Sequence, residues 1–220
     1  MGQAETSTIL LVPTRLEAHL LFGREPKDGE ALKELPGAPI FALTGFGLAA
    51  AGVKTANALH RHPGITRAFL LGIAGSYELG RANIGELVAA ESVVVDGIGT
   101  GEGASFESAD ALGFRQLEDL APGPLALARP KTVKTQGRLL SVAAAAGSCD
   151  EAAQRQLRYP SALFEDMEGW AVALGCREGK VPLAIVRAIS NAVGDRNAGA
   201  WKIEEALATL RRHLPILLSP

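Results

Sequence analysis

The 220 residues include few of the side chains that staple or metallate small proteins: two cysteines, Cys149 and Cys176, and four histidines. The cysteines lie far apart, with neither a CxxC pair nor Cys/His ligand spacing. That pattern excludes a disulfide framework and a zinc site and leaves buried thiols as the simpler reading. His19, His60, His62 and His213 form no HExxH pattern, so metal catalysis is not expected and no cofactor is implied. An excess of one charge is also lacking. Lys and Arg number 22 against 24 Asp and Glu, a formal net charge of −2, so no positive field recommends a nucleic acid or an anionic membrane as partner. The opening MGQAETSTILLVP has no basic start, and its apolar run is too short for a secretory signal or a membrane span. A cytoplasmic protein that binds a small molecule is expected.

Apolar residues make up 47% of the chain and charged residues 21%, a globular balance with material for a sizeable core. The length suits one domain over 1–220, and no linker or internal repeat divides it. Residues 9–12 read as a short strand closed by Pro13, and 14–21 as a helix with Thr14 as N-cap and Glu17 three residues later. Residues 40–43 regain strand character and run into the tight turn Thr44-Gly45-Phe46-Gly47. A helix over 48–60 follows and is stopped by Pro63-Gly64; 68–73 is then a continuous apolar strand. A β-rich stretch covers 86–95. Residues 96–108 hold four glycines and little bulk besides Phe106, the best candidate for a mobile loop. Further on, 138–145 reads as a strand, 164–176 as a helix and 181–189 as a strand. The last helix starts near Trp201, sets Ile203, Leu207 and Leu210 on one face, and ends at Pro215 or the terminus.

Strands alternating with helices predict a mixed or parallel sheet covered on both faces, a three-layer α/β/α architecture. In such sheets ligands bind where strands deliver their carboxyl ends. Thr44-Gly45-Phe46-Gly47 brings backbone N–H groups close to a ligand or simply makes a tight connection. Glu17 is placed to polarise a water, yet Thr14-x-x-Glu17 is equally a capping box. The acids of Glu165-Asp166-Met167-Glu168 would complement a helix dipole, although Asp166 and Glu168, two residues apart, cannot share one helix face. A Glu168 turned into a site would accept both hydroxyls of a ribose. Asn191 and Asp195 follow the strongest late strand, where Asx residues serve turns or ligands.

Taken in order, Pro13 to Glu17, Gly45-Phe46-Gly47, Gly72-Ile73-Ala74-Gly75, Asp166-Met167-Glu168 and Ile189-Ser190-Asn191 resemble the motif series of the nucleoside phosphorylase and nucleosidase superfamily, over roughly residues 8–212. The stretch from Arg187 to Asn197, followed by Trp201, is similar to the members that release hypoxanthine. The resemblance implies a nucleoside phosphorylase-like mixed sheet flanked by helices, a purine nucleoside as ligand, no cofactor and a homo-oligomer. It assigns water activation to Glu17 and ribose binding to Met167 and Glu168. Ala74, Gly75 and Trp201 would line the pocket, and Gly47 belongs to the glycine loop. Relatives that release adenine place Asp where Asn191 stands; an amide N–H meets the 6-carbonyl of hypoxanthine instead. Asp195 is the nearest acid for the leaving base. The stacking aromatic that relatives carry after residues 138–145 is missing, and Phe106 or Trp201 would replace it. Three rivals remain: a phosphorylase using Arg15 for phosphate, a methylthioadenosine nucleosidase, and a silent nucleoside sensor.

Overall fold

The computed structural model describes residues 7–219. In chain order its main elements are β1 (Ser7–Val12), α1 (Arg15–Phe22), β2 (Ile40–Leu43), α2 (Leu48–Arg61), β3 (Ile65–Ser76) and β4 (Leu87–Asp96). A small ribbon of β5 (Gly99–Thr100) and β6 (Glu107–Ser108) precedes the short β7 (Leu125–Ala126). Then come β8 (Thr135–Val142), α3 (Cys149–Arg158), β9 (Ala162–Asp166), α4 (Gly169–Glu178), β10 (Leu183–Ala192) and α5 (Ile203–Leu218).

Eight of the strands form one mixed sheet. Strand β3 is its hub: it pairs in parallel with β1 and β10 and, at its far end, antiparallel with β9. Since β10 also pairs with β4, β4 with β8 and β8 with β9, these five strands close on themselves, and β1 and β2 extend the sheet from β3. The three-layer arrangement is present, with that curl added.

The apolar runs are continuous because both sheet faces are covered. Ile9 and Leu11 enter the core shared with α2 and α4, whereas Leu10 and Val12 enter the one shared with α1 and α5. The same period of two divides Leu70 from Phe69 and Leu71. Each such side chain contributes about 1.5–3 kcal/mol on burial. In α5, Leu207, Leu210, Leu214 and Leu217 form the buried stripe, and the helix runs through Pro215 to Leu218.

Three expectations need correction. Cys176 is a buried thiol, but Cys149, at the start of α3, is exposed. Residues 164–176 are not one helix: Ala162–Asp166 is a buried strand, and α4 starts only at Gly169. Glu165 and Asp166 end the strand and Glu168 caps α4, and the Asp166 carboxylate accepts the N–H of Gly169 across the turn. The stretch 96–108, read as a loop, contains the β5–β6 ribbon and a single 3-10 turn. Helix α3, unread in the sequence, carries the signal Ser148-x-x-Glu151; the Ser148 hydroxyl accepts the Glu151 N–H at 3.2 Å.

Candidate functional site

The carboxyl ends of β1, β3, β9 and β10 converge on a cavity of about 240 Å³, small for a ligand site and mostly apolar in its lining residues. Glu17, Ala74, Gly75, Met167, Glu168, Asn191 and Trp201 all line it. Gly47 reaches it indirectly by donating its backbone N–H to Glu168 Oε1 at 3.1 Å.

The alternative roles drawn for Glu17 are compatible. Its Oε2 accepts the Thr14 N–H at 3.1 Å and the Thr14 hydroxyl at 2.7 Å, closing the capping box. Its Oε1 accepts the Ile73 N–H at 3.1 Å, from the strand that forms the cavity floor. A carboxylate that is 5% exposed and held by three donors is fixed in one orientation, with lone pairs left for a water.

Beneath it lies a residue that the sequence reading quoted but did not use. Arg187, 0% exposed, places its guanidinium against both Asp166 and Glu168. Asp166 takes Arg187 through Nε and Nη2 and also accepts the Ser141 hydroxyl at 2.6 Å. Asp166 and Glu168 therefore meet at one cation, which a shared helix would have forbidden. Arg187 Nη1 has no hydrogen-bond partner among the described residues. It abuts Gly72 from the same side as Glu17 Oε1, and a Cβ at Gly72 would overlap both atoms. Gly72→Ala is expected to cost about 1–3 kcal/mol of stability and to displace the two side chains, with turnover lost in proportion. Thermal melting alongside a nucleoside assay measures both effects; unchanged values for both would show that the packing relaxes freely.

Burial pushes the Glu168 carboxyl up to about 7, against the opposing pull of Arg187 and the Gly47 N–H. The sign of the linkage follows. Between the ordinary carboxylate value of about 4.3 and about 7, the folded state holds a proton that the unfolded chain releases, so stability from this group falls as pH rises through that window. The ionised form is the one able to accept two hydroxyls. The value of kcat/KM, which reports groups of the free enzyme, is expected to rise through pH near 7. A profile whose acidic limb persists unchanged in Glu168→Gln would place that limb elsewhere.

At the far side stands Asn191. Strand β10 slips register against β3 at Ser190, so that Ile189 faces Ala74 but Asn191 faces Gly75. This irregularity re-aims the asparagine at the cavity. The amide is oriented from both ends: the Ser190 hydroxyl donates to Oδ1 at 2.8 Å, and Nδ2 donates to the Ala192 carbonyl at 2.8 Å. A flipped amide would set Oδ1 against that carbonyl. One N–H of Nδ2 and one lone pair of Oδ1 remain for a ligand.

Two expected members stand apart. The Asp195 carboxylate does not line the cavity; it accepts the Asn197 N–H at 2.9 Å, an Asx turn, while its carbonyl accepts the Trp201 indole N–H. Sequence proximity to Asn191 was the signal for it, and the intervening turn carries it away. Phe106 does not line the cavity either; its ring lies under Arg158, 5.4 Å from the guanidinium carbon. The aromatics at the cavity are Trp201 and Phe46, the latter 65% exposed between the two glycines of its turn. Arg15 is also absent from the lining and pairs with Glu25 at 3.0 Å.

The comparisons agree with this architecture. The family model of the phosphorylase superfamily matches residues 33–218. A futalosine hydrolase of Thermus thermophilus is 33% identical over 219 residues, covering 96% of this chain and 95% of the relative. A futalosine hydrolase of Streptomyces coelicolor is 34% identical over 189 residues, 84% of this chain and 80% of the relative. Among solved structures, a 5′-methylthioadenosine/S-adenosylhomocysteine nucleosidase of Colwellia psychrerythraea, in complex with adenine, superposes with a TM-score of 0.77 at 17% identity, covering 97% of this chain and 94% of that one.

Proposed function

Because the chain belongs to the phosphorylase superfamily and, within it, to the futalosine hydrolase family, we propose that it hydrolyses the N-glycosidic bond of futalosine, releasing hypoxanthine and dehypoxanthinyl futalosine. The observation that carries this reading is the oriented carboxamide of Asn191 in a cavity whose charged members are carboxylates.

Cleavage builds positive charge on the ribose and negative charge on the departing purine, and catalysis requires that both be met in the transition state. Glu17 orients a water toward the anomeric carbon and takes its proton. Glu168 accepts the ribose hydroxyls, with Met167 beneath the sugar. Asn191 addresses the base edge: Nδ2 donates to O6, while Oδ1 accepts a hydrogen bond from the N7–H that forms as the bond breaks. In the ground state, N7 and Oδ1 would oppose each other as two acceptors, so this contact becomes favourable only as the base leaves. Asp195, bound in its own turn, is poorly placed to supply that proton, and water is the more direct route. Trp201 and Phe46 flank the ligand, with Ala74 and Gly75 as floor.

The nearest rival substitutes phosphate for water. Its one specific argument, Arg15, is weakened by that residue's pairing with Glu25 outside the cavity. Incubation with futalosine, inosine and methylthioadenosine in phosphate-free buffer, with chromatographic identification of the base, tests the reading. Hypoxanthine without added phosphate supports a hydrolase; strict phosphate dependence, or faster release of adenine, overturns it. A place in menaquinone biosynthesis and a cytoplasmic location belong to the same proposal. Among the described residues no helix is long and apolar enough to cross a membrane. A homo-oligomer is proposed as well, favoured by the exposed side chains of Leu16, Phe46 and Val53; light scattering of the purified protein decides it.

A further inference from the structure

One carboxylate in the cavity wall has no part in the reaction so far. Glu165, 5% exposed, lines the cavity from β9. It lies directly opposite Gly75 of β3, and Gly75 lies opposite Asn191 of β10. Residues opposite one another on adjacent strands project to the same face. Glu165 and Asn191 therefore flank Gly75, where a Cβ would stand 3.0 Å from Val193 Cγ2 and 3.3 Å from Asn191 Nδ2.

The carboxylate is held from behind by neutral and charged donors. The Tyr77 hydroxyl reaches Oε2 at 2.6 Å and Arg155 Nη1 reaches it at 3.2 Å, while the Ala146 N–H reaches Oε1 at 3.1 Å. Arg155 is itself buried and shared with Asp96. Burying such a set is costly and gives little stability in return, since apolar replacements of similar volume often do better. A carboxylate offers about four acceptor positions. Three are filled, which leaves one on Oε1, the oxygen that the Ala146 N–H also reaches.

We propose that Glu165 is a specificity-determining residue that accepts the N1–H of a 6-oxopurine while Asn191 serves its O6 and N7. The assignment rests on the hydrolase reading above and adds a second point of discrimination. N1 of hypoxanthine carries a hydrogen and donates; N1 of adenine is a bare acceptor. A fixed carboxylate at that position gains a hydrogen bond with the first and faces an opposed lone pair with the second.

The test compares kcat/KM for inosine and adenosine in the unaltered protein and in Glu165→Gln. Inosine cleavage is expected to fall about 10- to 100-fold, with adenosine cleavage unchanged or raised. Equal losses on both substrates would reduce Glu165 to a structural role and overturn the proposal, as would an unchanged ratio. A measurement free of mutation accompanies it: hypoxanthine labelled with nitrogen-15 at N1, bound to the unaltered protein, should show an N1 proton shifted downfield and slow to exchange. A resonance at the free-base position overturns the assignment even if Glu165→Gln fails to fold. Should the unaltered protein release no hypoxanthine from any nucleoside, the hydrolase reading falls, and the labelled base still reports on Glu165 separately.

Discussion

Glu17→Gln is expected to lower kcat by a factor of about 10² to 10⁴ while leaving the affinity for hypoxanthine nearly unchanged. The substitution separates the two duties of the side chain. Glutamine retains a carbonyl oxygen that can accept from Thr14, and a capping box tolerates Gln at its third position, so the start of α1 stays closed. What is lost is the basicity that takes a proton from water. Single-turnover release of hypoxanthine from futalosine, read beside calorimetric binding of the base, gives both quantities. Full activity in this variant would make Glu17 a helix cap alone; the nucleoside-sensor alternative is favoured instead if the unaltered protein binds the base but cleaves no nucleoside.

The second large effect is expected from Asn191→Asp, read as the ratio of hypoxanthine to adenine released from inosine and adenosine. The carboxylate has no donor for O6, and one of its oxygens would face the Ala192 carbonyl that Nδ2 now approaches at 2.8 Å. That repulsion favours a proton on the new acid, which suits donation to a purine nitrogen. The kcat/KM for inosine is expected to fall about 100-fold, the order of an unpaired buried polar group, with adenosine gaining. A ratio left where it was would place Asn191 outside base recognition. Since Glu165 faces the other end of the same purine edge, the effects of changing both residues are not expected to add.

Local chemistry was legible in the sequence and long-range pairing was not. The Thr14 cap, the tight turn at Gly45 and Gly47, and the apolar strand through Leu70 depend on neighbours within a few residues, and the structure contains all of them. Helix α4 begins at Gly169 and not at residue 164, because the residues before it, Glu165 and Asp166 among them, belong to a strand. The group that pairs with that strand end is Arg187, 21 residues from Asp166. A cation in the middle of an otherwise apolar strand was a usable sign that something charged must meet it. Glu165 gave no such sign. Its neighbours Tyr77 and Arg155 approach from other parts of the chain through the closed ring of strands. Asp195 was the converse case, near Asn191 in the chain and turned from the cavity in space.

The clip that begins the first helix is also the group assigned to the water. A lineage that abandoned hydrolysis would therefore have a purely architectural reason to keep glutamate at this position, and its presence alone would say little about activity. The informative comparison is between the acid and its amide: the amide keeps the cap at Thr14 through its one carbonyl oxygen and loses both the acceptor for the Ile73 N–H and the base.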